Sequence, residues 1–301
     1  MKQRIGLMLA VFSVVTAVVS AVGFWLHARF AIAYWVVDLG SLGPFAGGLA
    51  VLMLNRRLNL GARWVPGLGF NVQVVRRVVL AVAIALAIVL SCVQFYTFFR
   101  WRMKPIELPL VPHPLALPGD SLTILVLVGV GMTIGLILQE FGFRTVLQPS
   151  LRERYSVLTT SVIIGLIWGT WSWPAWQAAL DRFGRTGSVL VLLLFLVFHY
   201  AMTITVSLLF VTMHSNMRTG HWASAVAFRL VYGLGFFLIL DEEQAMWQPM
   251  FAISLACALA AGVSFYYYRR AALAERGRPA RDKNADPAEP GGVPPRVRSN
   301  S

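Results

Sequence analysis

Apolar residues along this 301-residue chain fall in long runs, not in the spaced stripes of helices that bury one face against a core. Eight runs stand out, at 5–26, 30–54, 78–99, 122–138, 156–178, 189–213, 222–240 and 247–268. Each is near the roughly 20 residues that an α-helix needs to cross a hydrocarbon layer. The pattern therefore predicts an all-α, polytopic membrane protein of about eight transmembrane helices. The first run exceeds the length of a signal-peptide core, which favours an uncleaved anchor. The second is broken by Asp38, Gly40, Gly43 and Pro44, and Pro44 marks either a kink or a helix start. Between the runs lie a basic loop at 55–77, a proline-rich loop at 101–120 and an acidic turn at Asp241, Glu242 and Glu243. Residues 1–119 are read as three membrane helices with their loops, 120–268 as the membrane core, and 269–301 as a disordered basic tail, too polar and Pro/Gly-rich to bury a core. No internal repeat and no phosphate- or dinucleotide-binding glycine motif is present.

Composition agrees with a bilayer as solvent. Hydrophobic residues make up 57% of the chain and charged residues 13%, against about 45–50% and about 25% in soluble domains. A net charge of +13 would suggest nucleic acid in a soluble chain, but here its distribution matters more. With the N-terminus inside, 19 basic residues fall in the cytoplasmic segments, Arg144, Arg152 and Arg154 among them. Six fall on the other side (Arg29, Arg100, Arg102, Lys104, Arg182 and Arg185), and Arg229 lies within a run. That asymmetry is the positive-inside bias, and it puts both termini in the cytoplasm. The partner it implies is the lipid bilayer, not nucleic acid. Cys92 and Cys257 sit inside apolar runs and read as small membrane-helix residues. No cofactor or metal is expected, because Glu140 has no imidazole beside it to make a zinc set.

Ionisable groups inside a bilayer are costly and raise functional questions. Glu140 and Arg144 stand four residues apart, on one helix face, and read first as a salt bridge at the cytoplasmic interface. Arg229 has apolar neighbours on both sides, so it must snorkel, face water or meet an acid, with Glu140 and Asp38 available. His199 reads as an interhelical hydrogen-bonding residue, and His214 and His221 as interfacial. Trp168, Trp171, Trp173 and Trp176 read as an aromatic belt near the outer interface.

Three fragments in order resemble the CPBP intramembrane endopeptidases, the family of type II CAAX prenyl proteases and bacterial Abi proteins. The family's first motif reads Glu-Glu-x-x-x-Arg, and here the chain has "QEFGFRTVLQPSL". The second reads Phe-x-x-x-His; "WGTWSWP" puts Trp168 at the Phe and Ser172 at the His. The third reads His-x-x-x-Asn or Asp, and "RTGHWASAVAFRLVYG" puts Arg229 at the His and Gly233 at the Asn. The resemblance covers roughly residues 120–237, with weaker support from 38–54. It implies a CAAX-protease-like helical bundle in a bacterial cytoplasmic membrane.

In the family, the leading glutamate activates water, and the histidines and Asn position it and stabilise the oxyanion. Here those positions are Gln139, Ser172, Arg229 and Gly233. An amide takes up no proton at neutral pH, and an arginine does not cycle one. Glu140, Phe143 and Arg144 survive from the first motif. The expectation is a catalytically inactive pseudoprotease that holds a membrane peptide or partner in a cavity near Glu140, Phe143, Trp168, Ser172 and Arg229. One alternative is an active protease with Glu140 as base and Arg229 as oxyanion stabiliser. The other is a transporter or assembly subunit using Asp38, His199 and Arg229 as a polar path.

Overall fold

The computed structural model describes residues 2–30, 39–57, 72–103, 121–183, 189–214, 221–239 and 247–276. The order is α1 (Lys2–Phe30), a 3-10 turn (Leu39–Ser41), α2 (Leu42–Arg57), α3 (Val72–Met103) and α4 (Ser121–Glu140). A π-helical segment (Phe141–Leu147) and α5 (Gln148–Arg152) continue α4 without a break. Then come α6 (Val157–Phe183), α7 (Val189–Met213), α8 (His221–Ile239) and α9 (Trp247–Arg276). There is no strand among the described residues.

Four helices contain stretches long and apolar enough to cross a membrane: Ile5–Leu26, Val72–Cys92, Leu193–Met213 and Phe251–Leu273. Large apolar side chains point outward from them, among them Val14, Val18, Val79, Leu90, Val197 and Leu259. Exposure on that scale is expensive in water and neutral in lipid. The chain is a polytopic helical membrane protein. Residues up to Phe265 form one compact unit. Inside that unit α1 packs on α2, α3 on α8, α6 on α7, and α2 and α8 on the π segment.

The elements depart from the apolar runs where polar residues are buried. Pro44 resolves as a helix start: it lies in the first turn of α2, where its missing N–H is unneeded. The run ending at 138 continues as helix to Arg152, through residues read as a cytoplasmic segment. Arg144, expected in the cytoplasmic segment after that run, is 1% exposed and so is covered by the bundle. Its charge is met by a counter-ion inside the bundle instead of by water. Helix α9 runs to Arg276, into the stretch read as a tail. Asp38, the proline-rich loop beyond Met103, the acidic turn and the tail beyond residue 276 lie outside the described residues, as do parts of the basic loop.

Close backbone approach holds the π segment in place. A Cβ on Gly142 would meet the Pro44 carbonyl, and Gly48 faces Gly142 across the same contact. Gly165 likewise lets α6 lie against the backbone of Ile204 on α7. Small residues at such crossings are how membrane helices gain packing without a hydrophobic drive. Gly142→Ala is therefore expected to destabilise the chain by about 1–3 kcal/mol, the usual range for forced overpacking. Thermal unfolding in detergent beside the wild type measures it. An unchanged midpoint would show that α2 can yield.

Candidate functional site

The π segment organises the site. Gln148 donates its N–H to the carbonyl of Phe143, five residues back, which widens the turn relative to an α-helix. Gly142 to Gln148 are all buried, with α2, α4 and α8 packed around the segment. Phe143, 1% exposed, contacts the rings of Phe12 at 5.6 Å and Trp171 at 6.0 Å, tying the segment to α1 and α6. Gln139 donates from Nε2 to Ser41 Oγ in the 3-10 turn, so the amide is engaged in holding that turn.

At the centre is Glu140, 1% exposed and held by two arginines. Arg144 Nε donates to Oε2 at 3.1 Å, and Arg229 Nη1 donates to Oε1 at 2.9 Å from α8. Each carboxylate oxygen thus has its own guanidinium. Burying one acid between two bases is stable only because the charges are paired and hydrogen-bonded. Arg144 also lies 3.5 Å from Ser207 Oγ through Nη2, while its Nη1 is buried with no hydrogen-bond partner. Aromatic faces carry part of that burden. Arg144 sits over the Phe210 ring at 4.8 Å and the Trp168 ring at 5.9 Å, and Arg229 over Trp168 at 4.9 Å.

The sequence therefore placed the right residues but partly the wrong environment. The Glu140–Arg144 pair is internal to the bundle, not a solvated interfacial bridge. Trp168, 7% exposed, is a floor beneath two guanidiniums. Trp171 donates its indole N–H to Ser20 Oγ at 2.7 Å. Neither is a belt residue; the side chains of Trp173 and Trp176 lie outside the described residues. His214 is buried at 3% and bonds Ser224 Oγ at 2.7 Å, which ties the end of α7 to α8. Gly233, one turn beyond Arg229, is half-buried. Cys92 and Cys257 are free and buried.

An imidazole does reach Ser172, from a helix that the motif spacing does not point to. His199 Nε2 on α7 is 3.2 Å from Ser172 Oγ and 3.0 Å from the Gly169 carbonyl. Ser172 Oγ itself donates to the same carbonyl at 3.1 Å. A carbonyl only accepts, so Nε2 carries the hydrogen and offers Ser172 no lone pair. The pair joins α6 to α7 in this tautomer and does not form a nucleophile with its base. No signal in the sequence ties position 199 to position 172, because the two meet only when α6 packs on α7. Among the described residues no group of three His, Cys, Asp or Glu is placed to hold a metal.

Residues 121–213 match the family described as type II CAAX prenyl endopeptidase, Rce1-like. That stretch runs from α4 to the end of α7 and includes Gln139, Glu140, Arg144, Trp168, Ser172 and His199; Arg229 and Gly233 lie beyond it. The chain is also similar to lysostaphin resistance protein A of Staphylococcus haemolyticus (strain JCSC1435), at 27% identity over 166 residues. The similarity covers 54% of this chain and 42% of that protein's length. Both likenesses are partial: the family match spans α4 to α7, and the chain spans less than half the length of the relative it matches.

Proposed function

We propose that the chain is a CPBP-family membrane protein whose protease site has lost its chemistry and holds a membrane peptide or partner helix. The observation that carries this reading is the double clamp on Glu140, 3.1 Å from Arg144 and 2.9 Å from Arg229. Both oxygens of this carboxylate already accept from cations, which makes it the counter-ion that keeps two guanidiniums paired inside the bundle. The neighbouring carboxylate of the family motif is Gln139, bound to Ser41. An active centre rearranged around Glu140 would first have to break a buried ion pair. A transporter path through His199 and Arg229 is disfavoured, since His199 bonds Gly169 and Ser172 while Arg229 bonds Glu140. The same reading carries eight spans, both termini in the cytoplasm and a bacterial cytoplasmic membrane.

The test is to titrate a fluorescent hydrophobic peptide, prenylated and unprenylated, into the purified protein, following anisotropy and peptide mass together. Saturable binding with the peptide recovered intact is expected. Cleaved peptide would overturn the loss of chemistry, and absence of binding across a membrane-peptide library would overturn the holding role.

A further inference from the structure

The charges around Glu140 do not balance. Arg144 and Arg229 bring two positive charges to one carboxylate, and Glu140 is the only acid paired with either among the described residues. Arg144 is 1% exposed, and its Nη1 has no partner. Arg229 is the open end of the cluster, at 15% exposure. Of its donors, Nη1 goes to Glu140, and the ring of Trp168 backs the guanidinium at 4.9 Å. No further protein partner meets the rest of the guanidinium among the described residues.

A guanidinium has five N–H donors in a planar fork, so engaging one leaves a second edge able to bind two oxygens at once. An edge that faces lipid cannot stay bare, and a positive charge that no described acid compensates calls for one negative charge. A phosphodiester has a single charge and two free oxygens at the spacing the fork accepts. Basic pockets between membrane helices are where lipid headgroups dock. We propose that the outward edge of Arg229 binds the phosphate of a membrane phospholipid, completing the charge balance of the Glu140–Arg144–Arg229 cluster. This site rests on charge and donor geometry alone and stands whether or not the chain cleaves or holds peptides.

Native mass spectrometry of the full-length protein in mild detergent tests it. Phosphatidylglycerol is titrated against diacylglycerol of the same chains, and inorganic phosphate is titrated separately. Wild type is expected to retain phosphatidylglycerol over diacylglycerol, and Arg229→Gln to bind it about tenfold more weakly, a change of about 1.4 kcal/mol. Arg229→Lys keeps a cation against Glu140 but lacks the fork, so it should weaken retention in the same direction. It decides alone if the glutamine variant fails to fold. Retention by Arg229→Lys equal to wild type would overturn the proposal, as would wild-type binding of neither phosphate probe. Binding of inorganic phosphate without lipid retention would keep the site and assign it to free phosphate.

Discussion

Glu140→Gln is expected to lower the stability of the folded chain by about 3–5 kcal/mol, the cost of stranding a buried charge by deleting its partner. The substitution changes almost no volume, so the loss is electrostatic. It leaves Arg144, 1% exposed, with only Ser207 at 3.5 Å and two aromatic faces for company. Arg229 loses its 2.9 Å contact but has 15% exposure through which to shift outward, so most of the penalty falls on Arg144. Deleting both ends of the longer pair, as in Glu140→Gln with Arg144→Met, is expected to recover much of the loss, because no buried guanidinium is then left unpaired. Thermal unfolding of the three proteins in one detergent measures both effects. A Glu140→Gln midpoint equal to wild type would mean that the clamp contributes little to the fold.

The second large effect is a gain of activity. Gln139→Glu, Ser172→His, Arg229→His and Gly233→Asn together are expected to produce peptide cleavage, and the wild type is expected to produce none. General acid–base groups contribute roughly 100- to 10,000-fold each when positioned. The combination also changes the charge at the centre. Arg229→His removes one of the two cations on Glu140, and Gln139→Glu adds a second carboxylate on the same helix end. The single change Gln139→Glu, made with Arg229 still in place, is expected to stay silent. Fluorogenic prenyl peptides serve as substrates, with circular dichroism to show that the variants fold.

Much of this was legible in the sequence because membrane helices are written as apolar length. The runs at 5–26, 189–213 and 247–268 match α1, α7 and most of α9, since little besides hydrocarbon thickness sets them. What escaped was the burial of polar groups. Hydropathy ends a span at Leu138, because Gln139, Glu140 and Arg144 look solvated when read alone. The second counter-ion of Glu140, Arg229, lies 89 residues away and comes beside it only when α8 packs on α4 and the π segment. Trp168 and Trp171 misled for the same reason. A cluster of tryptophans on a membrane helix suits an interface, yet here one ring lies under two guanidiniums and the other bonds α1. Local pattern predicted the helices; pairing between distant helices decided the site.

The most direct test of the central claim, that Glu140 is a structural counter-ion and not a base, is peptide turnover by the wild type beside Glu140→Gln. Both are assayed on one prenyl-peptide substrate at equal folded concentration. Both are expected at the background rate, indistinguishable from buffer. Wild-type turnover above background that disappears in Glu140→Gln would contradict the claim and make Glu140 a working catalytic group.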